Sequence, residues 1–301
     1  MPDRTSPFVI RQAEAADKIP VLAFCEHTFD WGDYIPLVWD DWLADETGSL
    51  LVATLDDERV GVAKVSLVTP LEAWLQGLRV HPAYRGRGLA WQFHRQCLNT
   101  ARELGASVAR LATSSKNSPV HKMAERVGMR RVAEVEVLQA ASVRSSEDSA
   151  PLSPLTLEDW PQASKYIFDG AALVAMGGLY ETDWMWQTLT RDKLRAHLAR
   201  GQAWTLRDGN GDIAAMAIVS AVDPDDHVLP VGHADVTDPH AASLALALQK
   251  HAAALQAAKV EVAMPAHSPL RQAFVQAGYE PEDEGGTTFY IYELDFKGAT
   301  Q

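Results

Sequence analysis

The chain has 301 residues, 47% of them hydrophobic and 22% charged, with a formal net charge of −13. That length allows one or two domains with substantial cores, and that acidity argues against a nucleic-acid or anionic-membrane partner. Two cysteines, Cys25 and Cys97, lie in apolar helical patterns and read as buried thiols, not as a disulfide or a metal site. No apolar run is long enough to span a bilayer and no cleavable leader pattern is present, so a cytoplasmic location without a membrane partner is the expectation.

In chain order, 9–10 opens as a short strand. Asp17 is placed to cap a helix over about 17–29, with Pro20 tolerated in its first turn. An aromatic and acidic segment follows: Asp30, Trp31, Asp33, Tyr34, then Trp39 and Trp42. The pattern next predicts a strand over 50–55, a turn at 56–58, an antiparallel partner over 60–69 and a further strand over 74–80. Pro82 cannot donate to a ladder and stops that strand. Gly86 and Gly88 come next, then apolar residues at Leu89, Ala90, Phe93, Cys97, Ala101 and Leu104, a helical spacing that ends at Gly105.

The order strand, glycine-containing loop, helix has a chemical consequence. The first turn of a helix has free backbone N–H groups and the positive end of the helix dipole. Glycines without Cβ let an anion approach the main chain closely. Physically this is a phosphate seat. Other phosphate loops fit it worse: no Lys-Ser or Lys-Thr follows, and Trp91 stands where a dinucleotide fingerprint needs its third Gly. Beyond it the sequence predicts a strand over 108–112, a helix opened by Asn117-Ser118-Pro119 and stopped at Gly128, and a strand over 132–139.

A polar, charged stretch, 142–153, with Pro151 inside it and Pro154 directly after it, reads as a linker. The same order then runs again: a hairpin of 204–208 and 213–219 about Gly209-Asn210-Gly211, a strand over 231–236, a helix over 242–257, a strand over 259–263, a helix opened at Ser268-Pro269 and stopped at Gly278, and a last strand over 289–296. Ser118-Pro119 and Gly128 each recur 150 residues on, at Ser268-Pro269 and Gly278. The expectation is two tandem units, 1–141 and 154–301. Where the first has Arg85-Gly86-Arg87-Gly88, the second has Asp238-Pro239-His240-Ala241, an acid and no glycine, which suits no pyrophosphate.

Val80, Pro82, Arg85, Gly88 and Ala90 together resemble the pyrophosphate loop of the GNAT superfamily of acyl-CoA-dependent N-acyltransferases. The resemblance implies an α/β (α+β) fold of two GNAT-like units, each a mixed, mainly antiparallel sheet flanked by helices, the first catalytic and the second degenerate. It implies acetyl-CoA as acyl donor, no metal, and contacts from Leu78, Arg79, Val80, Arg85, Gly86, Arg87, Gly88, Leu89, Ala90 and Asn117, with the Leu78 N–H or a neighbour as oxyanion donor. Positive charge for the anionic donor is expected from Arg79, Arg85, Arg87 and Lys116. Asn117 also reads as a helix N-cap. The segment at Asp33-Tyr34-Ile35-Pro36, with the Trp residues after it, is similar to the histidine N-acetyltransferase-like branch, which implies the amine of a free amino acid, such as histidine, as acceptor. Asp30, Asp33, Tyr34 and Gln76 are the acceptor-side candidates: carboxylates with aromatic walls suit an amine-bearing small molecule.

Acetyl transfer to an amine needs a donor for the developing oxyanion and a base for the amine's proton. Glu72, which alternates onto one strand face with Trp74 and Gln76, is the first candidate base. Many GNAT enzymes carry an acid tyrosine seven residues after the helix-opening Asn; here that position is Ala124. Either His121 substitutes, or CoA leaves as thiolate and takes a proton from water. A non-catalytic acyl-CoA sensor and a protein or peptide N-acetyltransferase stand as alternatives, and the chain is expected as a monomer or homodimer.

Overall fold

The structure is a computed structural model that describes residues 8–29, 32–144, 150–237, 239–283 and 285–297. The chain forms two compact units. The first gathers the residues up to Ala112, Asn117–Arg130 and the segment from Tyr292 on; the second gathers Thr113–Lys116 and Arg131–Ile291.

In the first unit β1 (Val9–Gln12) leads to α1 (Lys18–Cys25) and α2 (Ile35–Ala44), then to β2 (Ser49–Leu55), β3 (Glu58–Thr69) and β4 (Glu72–Val80). α3 (Leu89–Glu103), β5 (Val108–Ser114, here through Ala112) and α4 (Ser118–Arg126) follow. The pairs β1/β2, β2/β3 and β3/β4 are antiparallel, and β4/β5 is parallel. α1 stops earlier than expected, because the Thr28 hydroxyl and the Thr28 N–H both bond the Cys25 carbonyl and close the helix there. Asp17 is fully buried and stands at the N-cap of α1, but its side chain makes no cap bond to that helix. Its carboxylate accepts from Arg11, from Arg59 Nε on β3 at 2.8 Å and from the Glu14 N–H at 2.8 Å, tying the first strand and helix to the sheet. Burial opposes that charge, and these hydrogen bonds outweigh the burial, so the carboxyl lies well below the usual carboxylate range.

The two faces of this sheet carry different helices. Lys64 and Val62 share one face: Lys64 Nζ donates to the Trp42 carbonyl and the Asp45 carboxylate at the end of α2, and Val62 packs with Val21, Phe24, Ile35 and Trp39. Gly61 is on the other face, where a Cβ would stand 3.0 Å from the Phe93 ring of α3. Leu89, Phe93, Cys97 and Ala101 are all buried, the spacing read from sequence. Burial pushes the Cys25 and Cys97 thiols up to about 12, so both are inert packing groups.

The second unit contains β6 (Arg130–Ala141, here from Arg131), β7 (Ser153–Pro154), α5 (Trp160–Phe168), α6 (Ala171–Ala175), β8 (Leu179–Thr182), β9 (Met185–Thr188) and α7 (Arg191–Ala199). It continues with β10 (Ala203–Arg207), β11 (Ile213–Val219), β12 (Val228–Val236), α8 (Ala241–Ala254), β13 (Lys259–Pro265), α9 (Pro269–Gln276), β14 (Glu280–Pro281) and the start of β15 (Phe289–Asp295). β7/β10, β10/β11 and β11/β12 pair antiparallel and β12/β13 parallel, the same succession as in the first unit. That repeat of pairing order is the structural counterpart of the 150-residue recurrence.

Two points differ from the expected boundaries. β6, read as the close of the first unit, pairs along 135–141 with β13. The backbone bonding runs on into the expected linker: Ser142 N donates to the Ala258 carbonyl and Val143 N to the Gln249 carbonyl. Residues 145–149 of that linker lie outside the described residues. Conversely, the C-terminal strand, expected in the second unit, contributes Tyr292–Asp295 to the first, where Phe296 N donates to the Ser107 carbonyl beyond α3. A strand's edge bonds decide its sheet, and sequence periodicity does not encode them.

Candidate functional site

The loop after β4 follows from its residues. Pro82 opens a short 3-10 turn, Pro82–Tyr84, whose start is held by the His81 ring accepting from the Ala83 N–H. Gly86 and Gly88 both sit at φ +76, a left-handed conformation natural for glycine. Gly88 is the N-cap of α3, and a Cβ built on either glycine would meet nothing within 4 Å. The glycines therefore answer to backbone conformation and leave an open main-chain surface at the positive end of a 15-residue helix. Leu89 is buried below this seat and Ala90 partly so, while Arg85 and Arg87 are exposed around it. Arg85 Nε donates to the Val80 carbonyl at 3.1 Å, and Arg87 lies over the Tyr84 ring at 4.9 Å.

Below the loop the parallel strands separate. β4 and β5 pair from Glu72↔Val108 to Trp74↔Arg110, and past that rung they part. On its other edge β4 carries a bulge: Val62↔Arg79 and Lys64↔Gln76 leave Gly77 and Leu78 opposite the single residue Ala63. Gly77 has φ +66, so this is a bulge that needs glycine. The Trp42 ring covers it closely, 2.7 Å from where a Cβ would be. Gly77→Ala is therefore expected to cost about 1–3 kcal/mol by overpacking and backbone strain, measured as a lowered midpoint in thermal or urea unfolding. A variant as stable as the parent would mean that Trp42 moves aside freely.

On the α1/α2 face, the acceptor-side candidates are tied to one another. Asp33, fully buried at its carboxylate, takes Arg79 Nε at 2.7 Å and a second guanidinium N–H at 3.2 Å. The Arg79 guanidinium also lies 5.0 Å from the Phe29 ring centroid and 5.4 Å from that of Tyr34. This corrects two expectations: the Arg79 side chain does not turn to the phosphate seat, and the Asp33 carboxylate is already neutralised. The physical reason is the bulge, which leaves Arg79 on the same face as Gln76 and over the α1–α2 connection. Tyr34 packs edge-on to Trp42 with ring centroids 6.0 Å apart, and burial raises its hydroxyl above the usual phenol range. Gln76 Nε2 donates to Ser66 Oγ at 3.1 Å. Asp30 and Trp31 lie outside the described residues. Lys116, expected to add positive charge, groups with the second unit.

Glu72 stands on the face expected, with Trp74 and Gln76. Its carboxylate, however, is engaged by Arg110 at 2.5 Å, at the rung where the strands still pair. Arg110 is 5% exposed and also binds Glu293 Oε2 through Nε at 2.8 Å. Glu72, the first candidate base, is thus a carboxylate anchored by an arginine. Glu293 was not singled out from sequence, and no local signal marks it. Asn117 is the N-cap of α4 but makes no side-chain cap bond, which leaves its amide available to a ligand. His121 faces the Tyr292 ring at 5.9 Å, and the Tyr292 hydroxyl lies 3.4 Å from Glu125 Oε1. Ala124 is fully buried.

The corresponding strand of the second unit is covered. A Cβ on Gly232 of β12 would stand 2.0 Å from the Glu181 carbonyl oxygen of β8. The buried Asp235 carboxylate accepts from the Ala172 N–H of α6 at 3.2 Å. Asp238 lies outside the described residues. Among the described residues no helix is long and apolar enough to cross a membrane, and no cluster of three metal-ligating side chains occurs.

Comparison with known proteins agrees with this geometry. Residues 17–129 match the Acetyltransferase (GNAT) family. A histidine N-acetyltransferase of Xenopus tropicalis is 30% identical over 125 residues, 40% of this chain and 39% of its own length. The chain thus spans about two-fifths of that curated relative. A GCN5-related N-acetyltransferase from Sphaerobacter thermophilus superimposes with a TM-score of 0.61 at 14% identity, covering 98% of this chain and 97% of the other. A tandem GNAT protein from the clavulanic acid biosynthesis pathway does so with a TM-score of 0.56 at 15% identity, covering 98% and 99%. At such identities these two establish the fold, which extends over the whole chain. The open glycine seat, the parting strands and the family match coincide within residues 17–129, and that part of the chain is a GNAT acetyltransferase domain.

Proposed function

We propose that the chain is an acetyl-CoA-dependent N-acetyltransferase that moves the acetyl group to the α-amine of a free amino acid, with histidine the first candidate, by direct attack in a ternary complex. The observation that carries the reading is the pair of left-handed glycines, Gly86 and Gly88, at the N-terminus of α3 beside strands that part beyond Trp74↔Arg110. Main-chain N–H groups of 86–90 would hold the pyrophosphate, the parted edge of β4 from Leu78 to Val80 the pantetheine, and the Asn117 amide a further donor contact. Holding the thioester beside the amine supplies most of the rate through proximity, worth about 7–11 kcal/mol. Support for a free amino acid as acceptor comes from the 30% identical relative. The second unit, with its strand β12 covered by β8 and α6, is proposed as non-catalytic.

The test is incubation with acetyl-CoA and a panel of free amino acids, small amines and peptides, read by released thiol. Thiol release with L-histidine or another free amino acid is the expected result. Acetyl-CoA binding with no release for any member would mean a sensor instead. Release with peptides alone would move the acceptor to protein.

A further inference from the structure

We infer that Glu293, on the C-terminal strand, meets the acceptor ammonium and takes its proton, while Glu72 holds Arg110 in place between them. This rests on the N-acetyltransferase reading above. The phosphate seat lies at the head of α3, on the face of the sheet that carries Gly61 and Phe93. A thioester carbonyl held between β4 and β5 is attacked from above or below the sheet. With the donor entering from the α3 side, the amine has the α1/α2 face. That face at the foot of the parting is built from Trp74, Gln76, Arg110, Glu72 and Glu293. Trp74↔Arg110 is the last paired rung, so Arg110 stands at the point where the cleft opens.

Of the carboxylates on this face, Asp33 is buried and committed in two bonds to Arg79. Glu72 is the more enclosed partner of Arg110, its side chain 11% exposed against 19% for Glu293. Glu293 gives Oε2 to Arg110, and its Oε1 has no partner among the described residues. Arg110 Nε fixes the carboxylate's position on the strand next to β5, so its second oxygen is held beside Arg110 instead of wandering in solvent. A positioned, partly exposed carboxylate with one oxygen left over, one residue away from the last paired rung, is what binding and deprotonating an ammonium requires.

The ammonium passes one proton to Glu293 Oε1, which frees the nitrogen lone pair. That pair forms the N–C bond at the thioester carbonyl, and the C–S bond breaks with its electrons on sulfur. The second proton leaves nitrogen and ends on the CoA thiolate, while Glu293 returns its proton to solvent. The products are the amide, free CoA thiol and one proton.

The test compares Glu293→Gln, Glu293→Asp and Glu72→Gln in the full chain, with L-histidine as acceptor. In Glu293→Gln, kcat/KM at pH 7 is expected to fall about 100-fold or more, the minimum for loss of a general base. The acidic limb of the pH profile is expected to vanish, while acetyl-CoA affinity by calorimetry changes less than about twofold, because the donor seat is untouched. Glu293→Asp should recover part of the rate, and Glu72→Gln should lose at least about tenfold less than Glu293→Gln. Turnover of Glu293→Gln within about threefold of the parent would overturn the assignment. So would a pH profile of unchanged shape, or a Glu72→Gln loss as large as that of Glu293→Gln. If Glu293→Gln melts early, Glu293→Asp decides by the same profile. If the parent binds acetyl-CoA but acetylates no L-histidine, the acceptor reading fails on its own. Glu293 is then judged with water as acceptor: acetyl-CoA hydrolysis must be slower in Glu293→Gln, and equal rates refute the role.

Discussion

Gly88→Glu is expected to abolish acetyl-CoA binding, with calorimetry showing no heat at donor concentrations that saturate the parent. Three effects add. Gly88 has φ +76, a conformation an L residue adopts only at a cost, of order 1–2 kcal/mol. It is the N-cap of α3, so the new side chain would stand at the mouth of the anion seat. A carboxylate there takes the favourable field of the helix end for itself and repels the pyrophosphate. A Cβ at this place meets nothing within 4 Å, so the fold should survive and the loss should be one of binding. Circular dichroism and the unfolding midpoint are the controls. Unchanged acetyl-CoA affinity in this variant would remove the donor assignment altogether.

Breaking the Asp33–Arg79 pair should have the largest effect on stability. Both side chains are buried, Asp33 fully and Arg79 to 14% exposure, and two bonds join them. Removing one partner leaves the other charge buried and uncompensated, at a cost of about 3–5 kcal/mol. Asp33→Ala is therefore expected to lower the unfolding free energy by that amount, or the midpoint by roughly 10 °C for a domain of this size. Arg79→Met in the same chain should restore much of the loss, because a paired apolar replacement removes the orphaned guanidinium. A double variant no more stable than Asp33→Ala would show that the pair is not what holds the α1–α2 connection onto β4.

The second unit solves the same problem with different chemistry. There the end of the equivalent strand carries an acid, Asp235, and it is satisfied by the N–H of Ala172 instead of by an arginine. In both units a segment after the first helix is fastened to the strand that precedes the parallel crossover. In the first unit the fastening is by side chains, Asp33 to Arg79. In the second, Gly232 and Gly170 let backbone and carboxylate close in until no side chain would fit.

What was legible in the sequence is what local physics governs. Pro82 ending a strand, two glycines at positive φ and an apolar spacing of 3.6 are decided within about twenty residues, and Gly86, Gly88 and α3 stand where they were read. The 150-residue recurrence likewise carries over into a repeated pairing order. The stretch between 155 and 203 was silent. Its hairpin turns on Asp183 and Trp184, both at positive φ; aspartate tolerates that conformation, but tryptophan after it does not signal a turn. The Glu181 carboxylate accepts from the Trp184 N–H and holds it.

Local sequence suffices to place an open two-glycine turn at the head of α3 and to show that the fold runs twice. Only the tertiary structure decided which charges are free to act. Arg79 and Asp33 are 46 residues apart, and Arg110 and Glu293 are 183 apart. Strand alternation states which face a side chain takes, but an ion pair depends on which strand lies beside it. That neighbour is chosen by edge hydrogen bonds between distant segments, here by the last strand of the chain lying beside β5, and no local pattern contains it.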